Sequence, residues 1–295
     1  MQDPLLYLPR IRAYYKALGY GAPYVWAQQT DVPLVRLKKP LTEARIGVVT
    51  TTAPFRPDIG VDQSIGAPVT GKTKFKTVLS HPVDPTPDLR LNHVAYDTTH
   101  TTHADPRTYN PVDTLKALQN DGVIAGLGPR VHSVPTNRSQ ATTRDEYGAE
   151  VIARIREDGV DAVVLVPICP VCHQAMALIA TGLEAAGMPT VIMGAARDIV
   201  EHVGAPRLFW SNMPLGNPCG PPDDTASQKD SALRALTTLV DAVAPRTTVA
   251  SDHQWPGDPN WQQHYSNAAI LSASEIAERR AAFDANKPKA NRLDQ

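Results

Sequence analysis

Two thiols stand three positions apart in the run Pro167-Ile168-Cys169-Pro170-Val171-Cys172-His173. The run before them, Val160 to Val166, is apolar and rich in β-branched residues with no helical stripe. That pattern predicts a strand buried on both faces. Pro167 cannot donate to a sheet ladder and should end the strand. Pro170 is tolerated in the first turn of a helix, and Cys172, Met176, Ile179 and Leu183 then recur at helical spacing. A thiol at such a helix start meets unpaired N–H groups and the positive end of the helix dipole. Both favour a thiolate, and a Cys-X-X-Cys pair so placed can have a thiol pKa lowered from about 8.5 toward roughly 3.5 to 7.5. The spacing also lets the second thiol reach back and close a disulfide. Cys169, outside the helix, is the expected nucleophile, and Cys172, one turn in, the expected resolving thiol. The alternatives are two small core residues or half of a structural zinc site. A second Cys-X-X-Cys is absent, and Cys219 stands alone in Gly-Asn-Pro-Cys-Gly.

The elements that must hold this pair alternate along the chain. Strands are expected at 45–50, 77–80, 91–94 and 189–194, and short strand and turn at 123–135. Helices are expected at 4–18, 111–121, from Thr142 or Thr143 to Gly159, 172–186, 224–243 and 273–285, with a polar tail over 286–295. Residues 21–41 read as an extended wrap. Helix and strand in alternation with short links predict an α/β fold, mainly parallel sheet flanked by helices. We expect two Rossmann-like α/β lobes with long Pro-rich loops. The first would be residues 1–135 with its N-terminal wrap, the second 136–250 with the cysteine motif, and 251–295 a helical tail. In such sheets ligands gather outside the carboxyl ends of strands, which puts the loops after residues 50, 95, 168 and 194 on one edge.

Composition narrows the function classes. With 295 residues, 29 basic and 30 acidic, the chain has no basic face that would mark a nucleic-acid binder. No run is long and apolar enough for a membrane span, and Met1-Gln2-Asp3-Pro4 lacks the order of a signal peptide. Three cysteines do not make a secreted disulfide framework. A cytoplasmic protein is therefore expected, with its thiol pair kept reduced.

Several blocks carry a family resemblance. They are Trp26-Ala27 with Leu37 to Leu41, Val48 to Thr51, His93 to Thr98, Asp121 to Ile124, Glu157 to Ala162, Pro167 to Cys172, and Pro206-Arg207 with Pro214 to Pro218. In that order they resemble the B-type subunit (selenoprotein B) of the glycine, sarcosine and betaine reductases and the related subunit of D-proline reductase. The resemblance implies reductive cleavage of a carbon–heteroatom bond, in those enzymes the α C–N bond of an amino acid. It also implies selenocysteine at the first position of the motif, where this chain has Cys169, making it a selenocysteine-free relative. The implied pyruvoyl cofactor would sit on a partner subunit; no cofactor is expected in this chain.

Our reading is an oxidoreductase acting on a small-molecule substrate. Cys169 attacks, Cys172 resolves the adduct to a disulfide, and an external dithiol or thioredoxin-like reductant restores both. A histidine suits the general acid, and His93, in a family block at a strand end, is favoured; His173 could simply face solvent. Thr51, Thr52, Tyr96, Asp97, Thr98 and Arg207 are the candidates for binding substrate, and Cys219 would join them if its loop folds over the site. His100, His103 and Asp97 fit no standard zinc spacing, so no metal is expected. The alternatives are a thiol–disulfide oxidoreductase or thiol peroxidase, or a non-catalytic subunit. A partner subunit or homo-oligomer is compatible with the C-terminal amphipathic helix.

Overall fold

The computed structural model describes residues 3–64, 67, 70, 72–91, 93 and 95–281. Among the described residues, nine strands run in chain order: β1 (Arg45–Thr50), β2 (Ala53–Pro54), β3 (Leu79–Pro82), β4 (Leu89–Arg90), β5 (Gly126–Ser133), β6 (Ala162–Val166), β7 (Thr190–Gly194), β8 (Arg207–Trp210) and β9 (Thr247–Ala250). Seven form one sheet in the order β3-β5-β1-β6-β7-β8-β9, while β2 and β4 pair as a small antiparallel ribbon. All contacts in the large sheet are parallel except β3 on β5, so the protein is α/β.

The helices are α1 (Tyr7–Ala17), α2 (Val112–Asn120), α3 (Ala149–Asp158), α4 (Pro170–Ala185), α5 (Arg197–Val203), α6 (Thr225–Asp241) and α7 (Trp261–His264). Helices α3, α4 and α5 pack side by side in one layer, and α2 packs on α6 in another. Every residue of β6 and β7 is buried, as strands covered on both faces must be. Gly159, with φ 62°, ends α3 in the left-handed conformation glycine adopts freely.

The chain leaves central β1, returns as β5 on one side, then crosses back to β6 and on to β9. That reversal opens a crevice between the carboxyl ends of β1 and β6, the place where open sheets of this kind bind ligands. The two expected lobes are not separate. β1, from residues 1–135, bonds to β6, from residues 136–250, along five residue pairs, so the sheet crosses the expected boundary without a break. A central strand needs a partner on each side for its backbone groups. Residues 1–135 supply only β5.

Other differences are local. The stretch 123–135 contains an eight-residue strand rather than short fragments, because Gly128 lets it lie close: a Cβ there would come within 2.7 Å of Val160 Cγ1. Pairing around the expected strand Leu91–Val94 stops at Arg90, and Asn92 and Val94 lie outside the described residues. Strands β8 and β9, four residues each, carried no clear signal. The last helix covers 273–281, and the rest of the expected helix and tail, 282–295, falls outside the described residues.

Residues 21–40 form no regular element and cross the α4–α5 layer. Ala27 N–H donates to Gln174 Oε1 (2.8 Å), and Gln29 N–H donates to the Val203 carbonyl (2.8 Å). Among the described residues, no helix is long and apolar enough to cross a membrane.

Candidate active site

Strand β6 ends at Val166, and α4 starts at Pro170 with Cys169 as its N-cap. The Cys169 backbone is extended (φ −102°, ψ 172°), and its sulfur accepts the Cys172 N–H at 3.3 Å. A sulfur thus does the work a serine or aspartate oxygen usually does at this position. Cys172, one turn in, is fully buried, with Thr136 Oγ1 at 3.4 Å and the His93 ring nitrogens at 3.8 and 3.9 Å from its sulfur. His93 Nε2–H donates to the Thr51 carbonyl (2.6 Å), which leaves Nδ1 turned to the thiol. The two sulfurs and the imidazole all lie within 4.8 Å of one another. Both cysteines are free thiols.

The surroundings divide the pair. Burial, and then the neighbouring sulfur of Cys172, pushes the Cys169 thiol well up. Burial would raise Cys172 too, but the Cys169 S–H, the His93 ring and the Thr136 hydroxyl outweigh it and hold Cys172 well below the usual thiol range. His93 loses some basicity to burial and regains more from Cys172 and the Thr51 carbonyl, ending above its ordinary value. Of the two thiols, Cys172 is therefore the one its surroundings make more acidic, with a more basic His93 beside it. This reverses the ionisation expected from the helix dipole alone. The dipole acts on both sulfurs, whereas only Cys172 has an imidazole and a hydroxyl beside it.

Cys169, not Cys172, faces the solvent side. It lines a cavity of about 700 Å³ together with Pro170, Val171, His93 and Thr136. The remaining wall is rich in aromatic rings, with Tyr14 and Tyr15 of α1, Tyr24, Trp26, Tyr96, Tyr147 and Tyr265, and is edged by Lys74, Lys76 and Arg138. Arg138 lies 5.7 Å from the ring centres of both Tyr15 and Tyr24. Tyr265 OH donates to the Ala95 carbonyl at 3.0 Å, fixing the C-terminal wall to the loop after His93.

The sequence-derived residues separate into those at the cavity and those behind it. Cys169, His93 and Tyr96 line it. Thr51 supports it from beneath: its hydroxyl accepts the Ile168 N–H (3.1 Å) and its carbonyl holds His93. Thr52 is buried against Thr50 (Oγ1–Oγ1 3.0 Å). Asp97 is buried and caps its own loop, accepting from Thr99 N–H, His100 N–H and His100 Nδ1; Thr98 is exposed. Arg207 sits away from the cavity, paired with Glu184 (2.6 Å) with neither side chain exposed, and its other nitrogen donates to the Val35 carbonyl (2.6 Å). There it ties the N-terminal crossing segment to α4 and β8. Cys219 is buried apart from the pair, with its N–H on the Thr108 carbonyl, and burial pushes its thiol up.

Two more residues stand behind the pair. Thr136 follows β5 in a loop without distinctive spacing. His173 does not face solvent; it is fully buried in α4. Its Nδ1–H donates to the Cys169 carbonyl (2.8 Å), and its Nε2 accepts the N–H groups of Ala195 and Ala196 (both 3.0 Å). Burial lowers its pKa to about 4, so the ring is neutral and this tautomer is fixed. Gly194 makes room for it, since a Cβ there would lie 3.2 Å from the ring.

Fold and site together define an α/β protein with a dithiol at the carboxyl edge of its sheet, beside a histidine and an aromatic cavity. Residues 24–168 match the family described as glycine/sarcosine/betaine reductase selenoprotein B. The match takes in His93, Thr51 and Thr136 and stops one residue before Cys169. The D-proline reductase subunit gamma of Acetoanaerobium sticklandii is 28% identical over 52% of this chain and 64% of its own length. The glycine reductase complex component B subunit gamma of Symbiobacterium thermophilum is 32% identical over 50% of this chain and 36% of its own. For the betaine reductase complex component B subunit beta of Peptoclostridium acidaminophilum the figures are 25%, 46% and 33%. No solved structure matches the chain. Over about half of its length the chain is thus similar to the selenoprotein B and D-proline reductase proteins, with cysteine at position 169, and it spans about a third to two thirds of the length of these proteins. Those relatives are components of reductase complexes.

Proposed function

We propose that this chain is a thiol-dependent reductase that cleaves a carbon–heteroatom bond in a small substrate R–X. The observation that supports it is the arrangement itself: Cys169 opens on the cavity, with Cys172 and His93 within 4.8 Å behind it. Cys169 attacks the carbon of R–X as its proton passes to the Cys172 thiolate. The new S–C bond forms, the C–X bond breaks, and X leaves with the proton of His93. Cys172 then gives its proton to the now neutral His93 and attacks Cys169 Sγ. The S–S bond forms, the S–C bond breaks, and its electron pair returns to carbon, which takes the proton from His93. The products are R–H, HX and a Cys169–Cys172 disulfide, so the two thiols supply both electrons. An external dithiol reduces the disulfide by exchange.

The carbon must bear an electron-withdrawing neighbour to accept that pair. The substrate brings its own carbonyl, or a partner subunit carrying a pyruvoyl group provides the activation. The cavity suits a substrate bulkier than a small amino acid, with aromatic walls and a cationic rim for an anionic end.

In the Cys172→Ser variant the first adduct has no resolving thiol. Mass spectrometry after incubation with carbonyl-activated amines and thio-compounds should find R on Cys169. Turnover of any of them by Cys169→Ala would end this reading. The proximity of the thiols also supports a second reading, a thiol–disulfide oxidoreductase. Rapid consumption of peroxide or a small disulfide, with no R–X cleaved, would favour it.

A further inference from the structure

We propose that His100, His264 and Asp258 form a site for a divalent transition cation, zinc in the first instance, which clamps the C-terminal wall of the cavity to the loop after His93. His100 is 164 positions from His264, which with Asp258 belongs to one short segment, yet the ligand atoms of all three lie within 4.8 Å of one another. His100 Nε2 and His264 Nδ1 are 3.1 Å apart, and Asp258 Oδ2 is 3.7 Å from His264 Nδ1. A tetrahedral zinc with bonds of about 2.0 to 2.1 Å has ligand–ligand edges of about 3.3 Å, so these atoms already stand near the corners of one face. Two imidazole nitrogens at 3.1 Å share one hydrogen bond, which uses one lone pair and one proton. A dication in place of that proton would take both lone pairs, at the cost of a small rotation of the exposed His264 ring.

The stronger indication lies behind His100. Its side chain is 6% exposed, and its Nδ1 is 2.8 Å from Asp97 Oδ2, a carboxylate with 2% exposure that also accepts the Thr99 and His100 N–H groups. A carboxylate on one ring nitrogen fixes the tautomer, orients the ring and raises the basicity of the other nitrogen, the support that metal-binding histidines commonly have. His264 and Asp258 are 44% and 43% exposed, which leaves an open approach for the ion and room for water as a further ligand. Two imidazoles and a carboxylate suit zinc and its neighbours rather than calcium or magnesium. Tyr265, next to His264, and Tyr96, next to Asp97, both line the cavity, and the Tyr265 hydroxyl already bonds the Ala95 carbonyl. An ion here would hold together the two segments that carry them.

The thiol pair and His93 could also take zinc, so the test begins with the full-length Cys169→Ser/Cys172→Ser chain, titrated calorimetrically with zinc chloride. We expect one zinc per chain, a loss of about tenfold or more in affinity in His264→Gln, and about 10- to 100-fold in Asp97→Asn. Zinc should also slow proteolytic cleavage between 255 and 267 in the parent but not in His264→Gln. If the cysteine variant does not fold, zinc bound per wild-type chain after gel filtration serves instead, and His264→Gln should retain one equivalent fewer. Zinc binding unchanged by both His264→Gln and Asp258→Asn, or no zinc bound beyond the thiol site, overturns the proposal.

Discussion

Two histidines flank β1, and each reaches a potential nucleophile. His132, in β5 opposite Val49, makes the tighter constellation: Ser80 Oγ is 2.7 Å from Nδ1, and Asp158 Oδ2 is 2.8 Å from Nε2. By residue type and distance this is a serine, histidine and aspartate in line. His93, beside the end of β1, stands a loose 3.8 Å from Cys172. Yet His93 lines the cavity and His132 does not. The Ser80 hydroxyl also accepts from Arg154 Nη1, and Asp158 is held by Arg130 Nε at 2.7 Å. Every polar atom of the tight group is committed to a structural bond at the antiparallel edge of the sheet. A catalytic group needs an open side, where a reacting atom can sit. Satisfied hydrogen bonds favour stability, and an unfinished one beside a cavity favours chemistry.

The largest effect should come from the cavity side. Cys169→Ser, which swaps a thiol for a far weaker nucleophile at nearly constant shape, should lower reductase turnover by about a thousandfold or more. Its unfolding midpoint in urea should stay close to that of the parent. A variant that keeps turnover would remove the distinction drawn between the two histidine regions.

Next comes His173, which belongs to the cavity side by its bond to the Cys169 carbonyl but resembles His132 in being wholly buried. Its folded pKa of about 4 lies below the ordinary histidine value of 6.5 that it regains on unfolding. The unfolded chain therefore binds the extra proton first. Its contribution is complete above about pH 6.5 and is lost as pH falls through the folded value, a change of about 3 kcal/mol over that window. Urea unfolding followed from pH 7 to pH 4 should show this decline, and His173→Gln should flatten it. On the other side, Asp158→Ala leaves the buried His132 Nε2–H without its acceptor and should cost about 2 to 3 kcal/mol. Alkylation of the cysteines should not change. A shift in thiol reactivity in Asp158→Ala would mean that the two regions communicate across β1.

How much of this was readable beforehand follows from range. The strand, proline, cysteine, helix sequence around residues 160–186 is local, and its elements formed where the periodicity placed them. His93 was signalled by a sequence block and Cys169 by its spacing, and the two line the same cavity. The division of acidity was not readable, because Thr136 and His93 come to Cys172 from 36 and 79 positions away. Arg207 is the related case: it stands in a family block as a possible carboxylate binder, and its partner Glu184, 23 positions away on another element, is not visible from there. The single sheet was hidden too. Which strand lies on each side of β1 is decided by crossovers, and hydrophobic pattern carries no trace of them. His100 and His264, 164 positions apart, are the extreme case.

The loose pair makes a smaller prediction of its own. His93→Gln removes the ring facing Cys172, one of the groups that hold its thiol down, so that thiol should rise and its thiolate become scarcer at acid pH. The rate of iodoacetamide labelling at pH 6 should drop accordingly, while at pH 9 mutant and parent should converge. Equal labelling at pH 6 would mean that the Cys169 S–H and the Thr136 hydroxyl hold the charge without help.

Ser80→Ala should do least. It removes a hydroxyl that donates to His132 Nδ1, but Arg154 can turn to solvent and His132 keeps Asp158, so the loss should stay at about 1 kcal/mol or below. An activated-serine probe such as a fluorophosphonate should leave the wild-type chain unlabelled, since no cavity lines Ser80 among those found around the described residues. Labelling at Ser80 that disappears in Ser80→Ala would show the edge of the sheet opening far enough to admit a reagent. The tight constellation would then rank as a second site rather than a brace.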